Sequence, residues 1–273
     1  MKVIDFHIHA GTWDMNTPSC QESMLKINPD AEDLHLSIED PEWLRDFLIG
    51  EGVTYAVILA EHAPATSAYC PSEWVADYCK DIEILIPFAC LNPLMDPEPA
   101  HKLVFYVKEL GMKGLKLLPS YCFYFPNDPI MYPVYKKAEE LKIPVIFHTG
   151  SSDISGTKLK YADPLLLDDV ATDFPELTII MAHSGRGFWY DRAFFLSRHH
   201  KNVFMDITGL PPKNLLKYFP ELERNSEKVI FGSDWPGVPK GIKSNIEAIC
   251  DLPLKDSTVE NILYKNSERI LFG

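Results

Sequence analysis

Eight short runs of apolar, largely β-branched residues recur along the chain at nearly even intervals, and no other feature restricts its fold as strongly. They begin at Lys2 (KVIDFHIHA), Val53 (VTYAVILA), Ile84 (ILIPFACLN), Gly114 (GLKLLP), Pro144 (PVIFHTG), Thr178 (TIIMAHSG), Val203 (VFMDITG) and Val229 (VIFGSD). From the second onward the starts advance by 31, 30, 30, 34, 25 and 26 residues. That is room for a strand, a loop, a helix and a second loop. The runs are almost continuously hydrophobic, as parallel strands covered on both faces must be. Between them lie helix signals. Asp40-Pro41, Asp128-Pro129 and Asp163-Pro164 each set an acceptor for orphan N–H groups ahead of a proline suited to the first helical position. The segment with Leu103 and Val107 is expected to end in a left-handed cap at Gly111, and the amphipathic stretch Val259 to Leu271 to close the helical shell. A solenoid is disfavoured because the units share a length but no residue-level repeat. An open doubly wound sheet is disfavoured because chemically active residues sit at several strand ends. The expected fold is one (β/α)8 TIM-barrel domain over 1–273, a usual size for an architecture of ~250 residues.

Charge removes one class of partner. Lys and Arg total 26 against 39 Asp and Glu, a net charge of −13, whereas nucleic-acid binding needs clustered cations. No apolar run reaches the ~18 residues of a membrane span, and the first residues lack the basic-then-apolar pattern of a secretory signal. Cys20, Cys70, Cys79, Cys90, Cys122 and Cys250 form no Cys-x-x-Cys pair, and a chain of this length does not need disulfides. A cytoplasmic protein with a small-molecule substrate is the expectation.

Polar residues that would be costly inside a strand cluster at the C-terminal ends of the runs. His7 and His9 are two apart on strand one and so share a face. His148 ends strand five, His183 strand six and Asp234 strand eight. In a closed barrel these ends converge on one mouth, where barrel active sites lie. Singly, a strand-end His is more often a hydrogen-bonded structural residue, and a strand-end Asp a helix cap. Together they are a donor set for zinc or a related divalent metal. The polar connection from Gly11 to Asp40 is expected to be a loop over that mouth. Trp13, Tyr121, Tyr124, Phe125, Trp189 and Trp235 follow strand ends and would give a partly apolar, aromatic-accepting pocket, although each alone is more often packing. Arg186, three residues after His183, is a candidate anion clamp, with a surface ion pair as the alternative. Glu61 and His62 are candidates for pocket lining. His35, His101, His199 and His200 read as surface residues.

Asp5-Phe6-His7-Ile8-His9, His148-Thr149-Gly150, His183-Ser184-Gly185 and Gly232-Ser233-Asp234-Trp235-Pro236 resemble the amidohydrolase superfamily. More narrowly, they resemble its amidohydrolase-related ("amidohydrolase 2") group, which includes aminocarboxymuconate-semialdehyde decarboxylase, related aromatic-acid decarboxylases and several lactone and amide hydrolases. The terminal Asn266-Ser267-Glu268-Arg269-Ile270 is similar to the group's Asn-x-x-Arg-Leu/Ile element, so the likeness spans the chain. The resemblance implies a metal, usually zinc, held by His7, His9, His148 and Asp234. It also implies catalytic roles for His183, as general acid/base or electrostatic stabiliser, and for Asp234, which would take the proton of a metal-activated water. Asp5 would anchor a neighbouring histidine or strand. Lys116 in Gly114-Leu115-Lys116-Leu117-Leu118-Pro119 admits two readings: a carbamylated bridge between two metals, or a plain cation for a substrate carboxylate beside one metal. One metal is preferred. Members of the group are often dimers, so by analogy a homodimer is admitted.

Two reactions fit this pattern. Hydrolysis of an amide, ester or lactone by a metal-activated water is the leading expectation. Non-oxidative decarboxylation of an unsaturated or aromatic acid is the rival. Length favours hydrolysis, because decarboxylases of the group tend to carry larger insertions after strand one. A non-enzymatic metal protein is disfavoured, since structural zinc sites are closed and usually rich in cysteine.

Overall fold

The computed structural model describes residues 1–238 and 241–273. Parallel strands follow one another in chain order around a barrel: β1 (Ile4–His9), β2 (Tyr55–Leu59), β3 (Leu85–Cys90), β4 (Gly114–Leu117), β5 (Val145–Gly150), β6 (Ile179–Arg186), β7 (Val203–Asp206) and β8 (Val229–Ile230). β8 pairs with β7 over two residues, after which the extended chain runs beside β1. Phe6 N–H donates to Phe231 O at 2.9 Å, Asp234 N–H to His7 O at 3.0 Å and His9 N–H to Trp235 O at 2.9 Å. These bonds close the barrel, and they also pin Asp234 beside both histidines of β1.

Two apolar clusters hold the layers together. The smaller takes alternate strand positions, among them Ile4, Phe6, Leu59, Phe88, Ile146, Ile180 and Ile230, and fills the barrel. The larger packs the outer strand faces against the helices. Burying one such side chain contributes about 1.5–3 kcal/mol. Phe88 meets Phe6 edge-on, with centroids 5.7 Å apart, and the ring fits because β4 begins with Gly114, where a Cβ would overlap it. Gly114→Ala is therefore expected to destabilise by about 1–3 kcal/mol through overpacking, which urea denaturation would register as a lower midpoint at unchanged slope.

β1 carries an irregularity that the sequence pattern does not reveal. Asp5 lies opposite Ala56 but Ile8 opposite Ile58, so β1 spends one more residue than β2. Such a bulge re-aims side chains. Here it lets the sequence neighbours Phe6 and His7 serve the same interior, Phe6 in the barrel core and His7 at the mouth.

The connection from Gly11 to Asp40 is helical, not the loop expected. A short 3-10 turn (Trp13–Met15) leads to α1 (Pro18–Ile27) and α2 (Ala31–Ile38). Thr17 caps α1 by accepting from Cys20 N–H, with Pro18 in the first position. Their apolar faces are short and interrupted by polar residues, which hides them from a periodicity search. Asp40, Asp128 and Asp163 cap as expected, each accepting from the N–H two residues on, although the latter two open 3-10 turns ahead of the α-helices. Gly111 has φ 73°, but the helix before it already stops at Lys108. Glu61–His62 pair antiparallel with Tyr69–Cys70 as a separate hairpin and do not extend β2. At the C-terminus, Asn266 Nδ2 donates to Ser226 O and Val229 O, each at 2.7 Å, tying the last helix to the start of β8. Among the described residues no helix is long and apolar enough to cross a membrane.

Candidate active site

The C-terminal strand ends surround one cavity. Its lining includes His7, His9, Glu61, Lys116, Tyr121, His148, His183, Arg186 and Asp234 from the barrel, and Met15, Cys20, Met24, Ile27 and His35 from the helical cover. His35 is thus buried at the mouth and not a surface residue. Its Nδ1–H donates to Ala31 O at 2.8 Å, and Trp13 lies edge-on against its ring at 5.3 Å. Trp13 therefore supports the wall without lining it. Trp235 is also absent from the lining: it is buried and stacks on Phe47 at 4.6 Å. Tyr124 is buried, while Phe125 is exposed and meets Tyr161. His62 turns to Asp96 at 2.9 Å, whereas Glu61 faces the cavity with Oε2 3.6 Å from His9 Nδ1.

His7, His9 and Asp234 present donor atoms all within 4.8 Å of one another. Asp234 Oδ1 stands 3.6 Å from His7 Nε2 and 3.5 Å from His9 Nε2, and its Oδ2 lies 3.8 Å from His183 Nδ1 and 3.9 Å from Arg186 Nη1. The chain turns sharply at these points: His183, Ser184 and Asp234 have φ of 61°, 46° and 68°. Non-glycine residues rarely sit there, at a cost of order 1–3 kcal/mol each. Backbone also passes unusually close behind His7. A Cβ on Gly232 would lie 2.7 Å from the Cβ of His7 and would overlap the Thr208 hydroxyl.

Asp206, at the end of β7, escaped the sequence reading. It is fully buried and accepts from His7 Nδ1–H at 2.9 Å, leaving the His7 Nε2 lone pair aimed at the cavity. Thr208 donates to it from both backbone and hydroxyl. The signal was present, since VFMDITG puts a carboxylate at a strand end like the others. Burial pushes Asp206 up to about 7, against the pull of Thr208 and Lys116. Burial likewise draws the Lys116 ammonium down to about 8, opposed by Asp234, Asp206 and Glu61. Its Nζ lies 2.9 Å from His7 Nε2.

Burial, joined by nearby cations, holds His7, His148 and His183 well below the usual imidazole range, so they are neutral at pH 7. For Asp234 burial pulls upward, but His183, His9 and His7 outweigh it and keep the carboxyl well below its ordinary range. Neutral imidazoles with an ionised carboxylate are the protonation states a divalent cation requires. His148 adds a second sign. Its ring packs 4.6 Å from that of His183, and its Nε2 is buried without a hydrogen-bond partner, an arrangement costing about 1–3 kcal/mol unless something fills it. The donors therefore fit a divalent metal.

Asp5 anchors the floor. One carboxylate oxygen accepts from His7 N–H at 3.1 Å and Ser233 N–H at 2.9 Å, while the other has no partner. Burial pushes it up to about 7, against those same bonds. A carboxyl raised on folding binds more protons in the native than in the unfolded state, so its contribution to stability falls as pH rises from about 4 to about 7. Asp5→Asn should remove that component. Thermal melts of metal-free protein are expected to show the wild type losing more stability than the variant across this window.

Comparison with known proteins places this geometry in a lineage. The amidohydrolase family model matches residues 4–273. The chain belongs to the amidohydrolase family. Among curated proteins, this amidohydrolase is 22% identical over 266 residues to gamma-resorcylate decarboxylase of Rhodococcus jostii, covering 75% of this chain and 80% of the relative. Among solved structures it superposes on an uncharacterised TIM-barrel protein of Bordetella bronchiseptica with a TM-score of 0.82 at 22% identity, covering 99% and 98% of the two chains. It also superposes on 5-carboxyvanillate decarboxylase of Novosphingobium aromaticivorans, solved with manganese and a nitrobenzoic acid, at 0.71 and 13% identity over 99% and 96%. The amidohydrolase TIM barrel expected from the sequence is thus the fold found, and the family binds a divalent metal.

Proposed function

We propose that this amidohydrolase is a metal-dependent carboxy-lyase that releases CO2, without oxidation, from a small aromatic or unsaturated carboxylic acid. What carries the proposal is its alignment through three-quarters of its length with gamma-resorcylate decarboxylase. The length argument for hydrolysis loses its force. α1 and α2 are themselves an insertion after strand one, folded over the mouth.

His7, His9, His148 and Asp234 would hold the metal. Bound there, it supplies a fixed positive charge that orients the acid's oxygens and stabilises negative charge as it develops. Zinc and manganese both suit nitrogen and carboxylate donors. Lys116 and Arg186 bring further positive charge to the cavity wall, suited to a carboxylate. Arg186 is held by its Nε and Nη2, which donate to Ser151 O at 3.1 and 2.8 Å. Met24, Ile27, Leu118 and Ile154 form an apolar wall that excludes water and accepts a ring.

The reaction needs a proton on the carbon that bears the carboxylate. The C–C bond then breaks, its electron pair returns to the unsaturated system, and CO2 leaves. Asp234 is ionised at rest, so it must first take a proton, which the substrate's own hydroxyl or carboxyl group can supply, before passing it to carbon. His183 Nδ1–H is tied to Thr208 O at 3.0 Å. Its Nε2 therefore keeps a lone pair and serves as a neutral base or hydrogen-bond acceptor.

The test is incubation with hydroxylated benzoic acids, gamma-resorcylate first, with and without a chelator, while CO2 is measured. Stoichiometric CO2, lost with the chelator and restored by zinc or manganese, is the expected result. Turnover of esters, amides or lactones with no CO2 from any acid would reinstate hydrolysis.

A further inference from the structure

We infer that the chain carries a second divalent transition-metal site, formed by Asp168, His199 and His200 at the end of the barrel opposite the active-site mouth. Each offers a donor atom within 4.8 Å of the other two. His199 is the last residue of the helix Tyr190–His199, and His200 leads directly toward β7. The pair thus lies where strands begin, whereas the cavity lies where they end. The two sites cannot share a substrate.

Local backbone explains how consecutive residues serve one point. Along a helix, neighbouring side chains diverge by a large angle. His200 leaves the helix in an extended conformation, φ −103° and ψ 131°, and the two rings come to 4.7 Å with planes 83° apart. His200 Nε2 is already 2.7 Å from Asp168 Oδ1, at a sequence separation of 32. The ring of His199 lies on Phe195, one helical turn earlier, at 5.5 Å and 15°. Phe195 is 60% exposed, so this stacking fixes the His199 plane and buries little else. The plain alternative is a surface hydrogen bond between His200 and Asp168, worth little in water. That alternative accounts for two of the three residues; stacking on Phe195 sets the His199 plane, and in that plane His199 holds a donor atom within 4.8 Å of both the others.

The cations that flank the histidines in sequence are each paired elsewhere: Lys201 is engaged by Glu176 at 2.9 Å, and Arg198 lies 3.8 Å from Glu221. Two imidazoles with one carboxylate select zinc, nickel, cobalt or copper over magnesium and calcium. An ion there would clip the helix Leu167–Asp173 to the end of Tyr190–His199 and stabilise the lower rim by mass action. The site stands independently of the catalytic reading, and it bears on any count of metals per chain.

Equilibrium dialysis of the full chain against Co2+ or Zn2+ tests it. Wild type is expected to bind one equivalent more than His199→Ala, with unchanged turnover, and Asp168→Asn should lose the same equivalent. His199 is exposed, so the variant keeps its fold, and circular dichroism checks this. Asp234→Ala should instead lose the other equivalent together with activity, separating failure of this site from failure of the catalytic one. In Asp234→Ala loaded with Cu2+, electron paramagnetic resonance should show nitrogen couplings from two imidazoles, absent in the His199→Ala double variant. Equal metal content in wild type, His199→Ala and Asp168→Asn would overturn the inference, as would a Cu2+ spectrum indifferent to His199.

Discussion

Asp234→Ala is expected to lower kcat/KM by about 10²- to 10⁴-fold, the range for loss of a positioned acid/base group, and to empty the barrel metal site in the same step. The two losses coincide because one carboxylate serves both: Oδ1 faces the nitrogens of His7 and His9, and Oδ2 faces His183 and Arg186. Asp234→Asn separates them in degree. The amide keeps the size and one acceptor oxygen but cannot carry the proton, so metal added in excess should restore occupancy well before it restores turnover. The fold should persist, because barrel closure runs through the backbone N–H of Asp234 and not through its side chain. Metal analysis, kinetics and circular dichroism on the two variants would read all three. Turnover within tenfold of wild type in Asp234→Ala would remove this residue from the chemistry.

How much of this site the sequence discloses follows from what each residue signals. Strand ends that break an apolar run with His or Asp are conspicuous, and His7, His9, His148, His183 and Asp234 were found in that way around one cavity. Asp206 carried the same signal but lacked a motif, and its contact with His7 spans 199 positions. The bulge in β1 left no mark, because IDFHIH reads as an ordinary strand whichever residue is extra. The aromatic residues misled for the opposite reason. Trp13 and Trp235 follow strand ends, yet a large apolar ring gains more by packing on His35 or Phe47 than by facing a polar mouth. The lining came in part from the 3-10 turn, α1 and α2; Met15, Met24 and Ile27 lie in a segment too polar on average to predict as helix. His35 was misplaced with them.

Lys116→Met decides between the two readings of the strand-four lysine, and the expected result is a fall in kcat/KM of about 10²- to 10³-fold, the scale for removing one charge-stabilising donor, with the barrel metal retained. The count should be made in the His199→Ala background, so that a surface ion does not add to it. Charge supports the unmodified lysine. Lys116 is fully buried with its Nζ beside His7 Nε2, and Asp234, Asp206 and Glu61 all act on it. As an ammonium it offsets those carboxylates. Carbamylation would turn the only buried cation at that point, among the described residues, into a further anion, and two divalent ions would then be needed to restore the balance. Under that alternative the wild type would hold two barrel metals, the native mass would exceed that of the sequence and its metals by one CO2, and Lys116→Met would lose at least one ion. With an unmodified lysine the wild type holds one, the mass is that of the sequence, and the loss in Lys116→Met is confined to acidic substrates, because the lost cation would face the substrate's carboxylate.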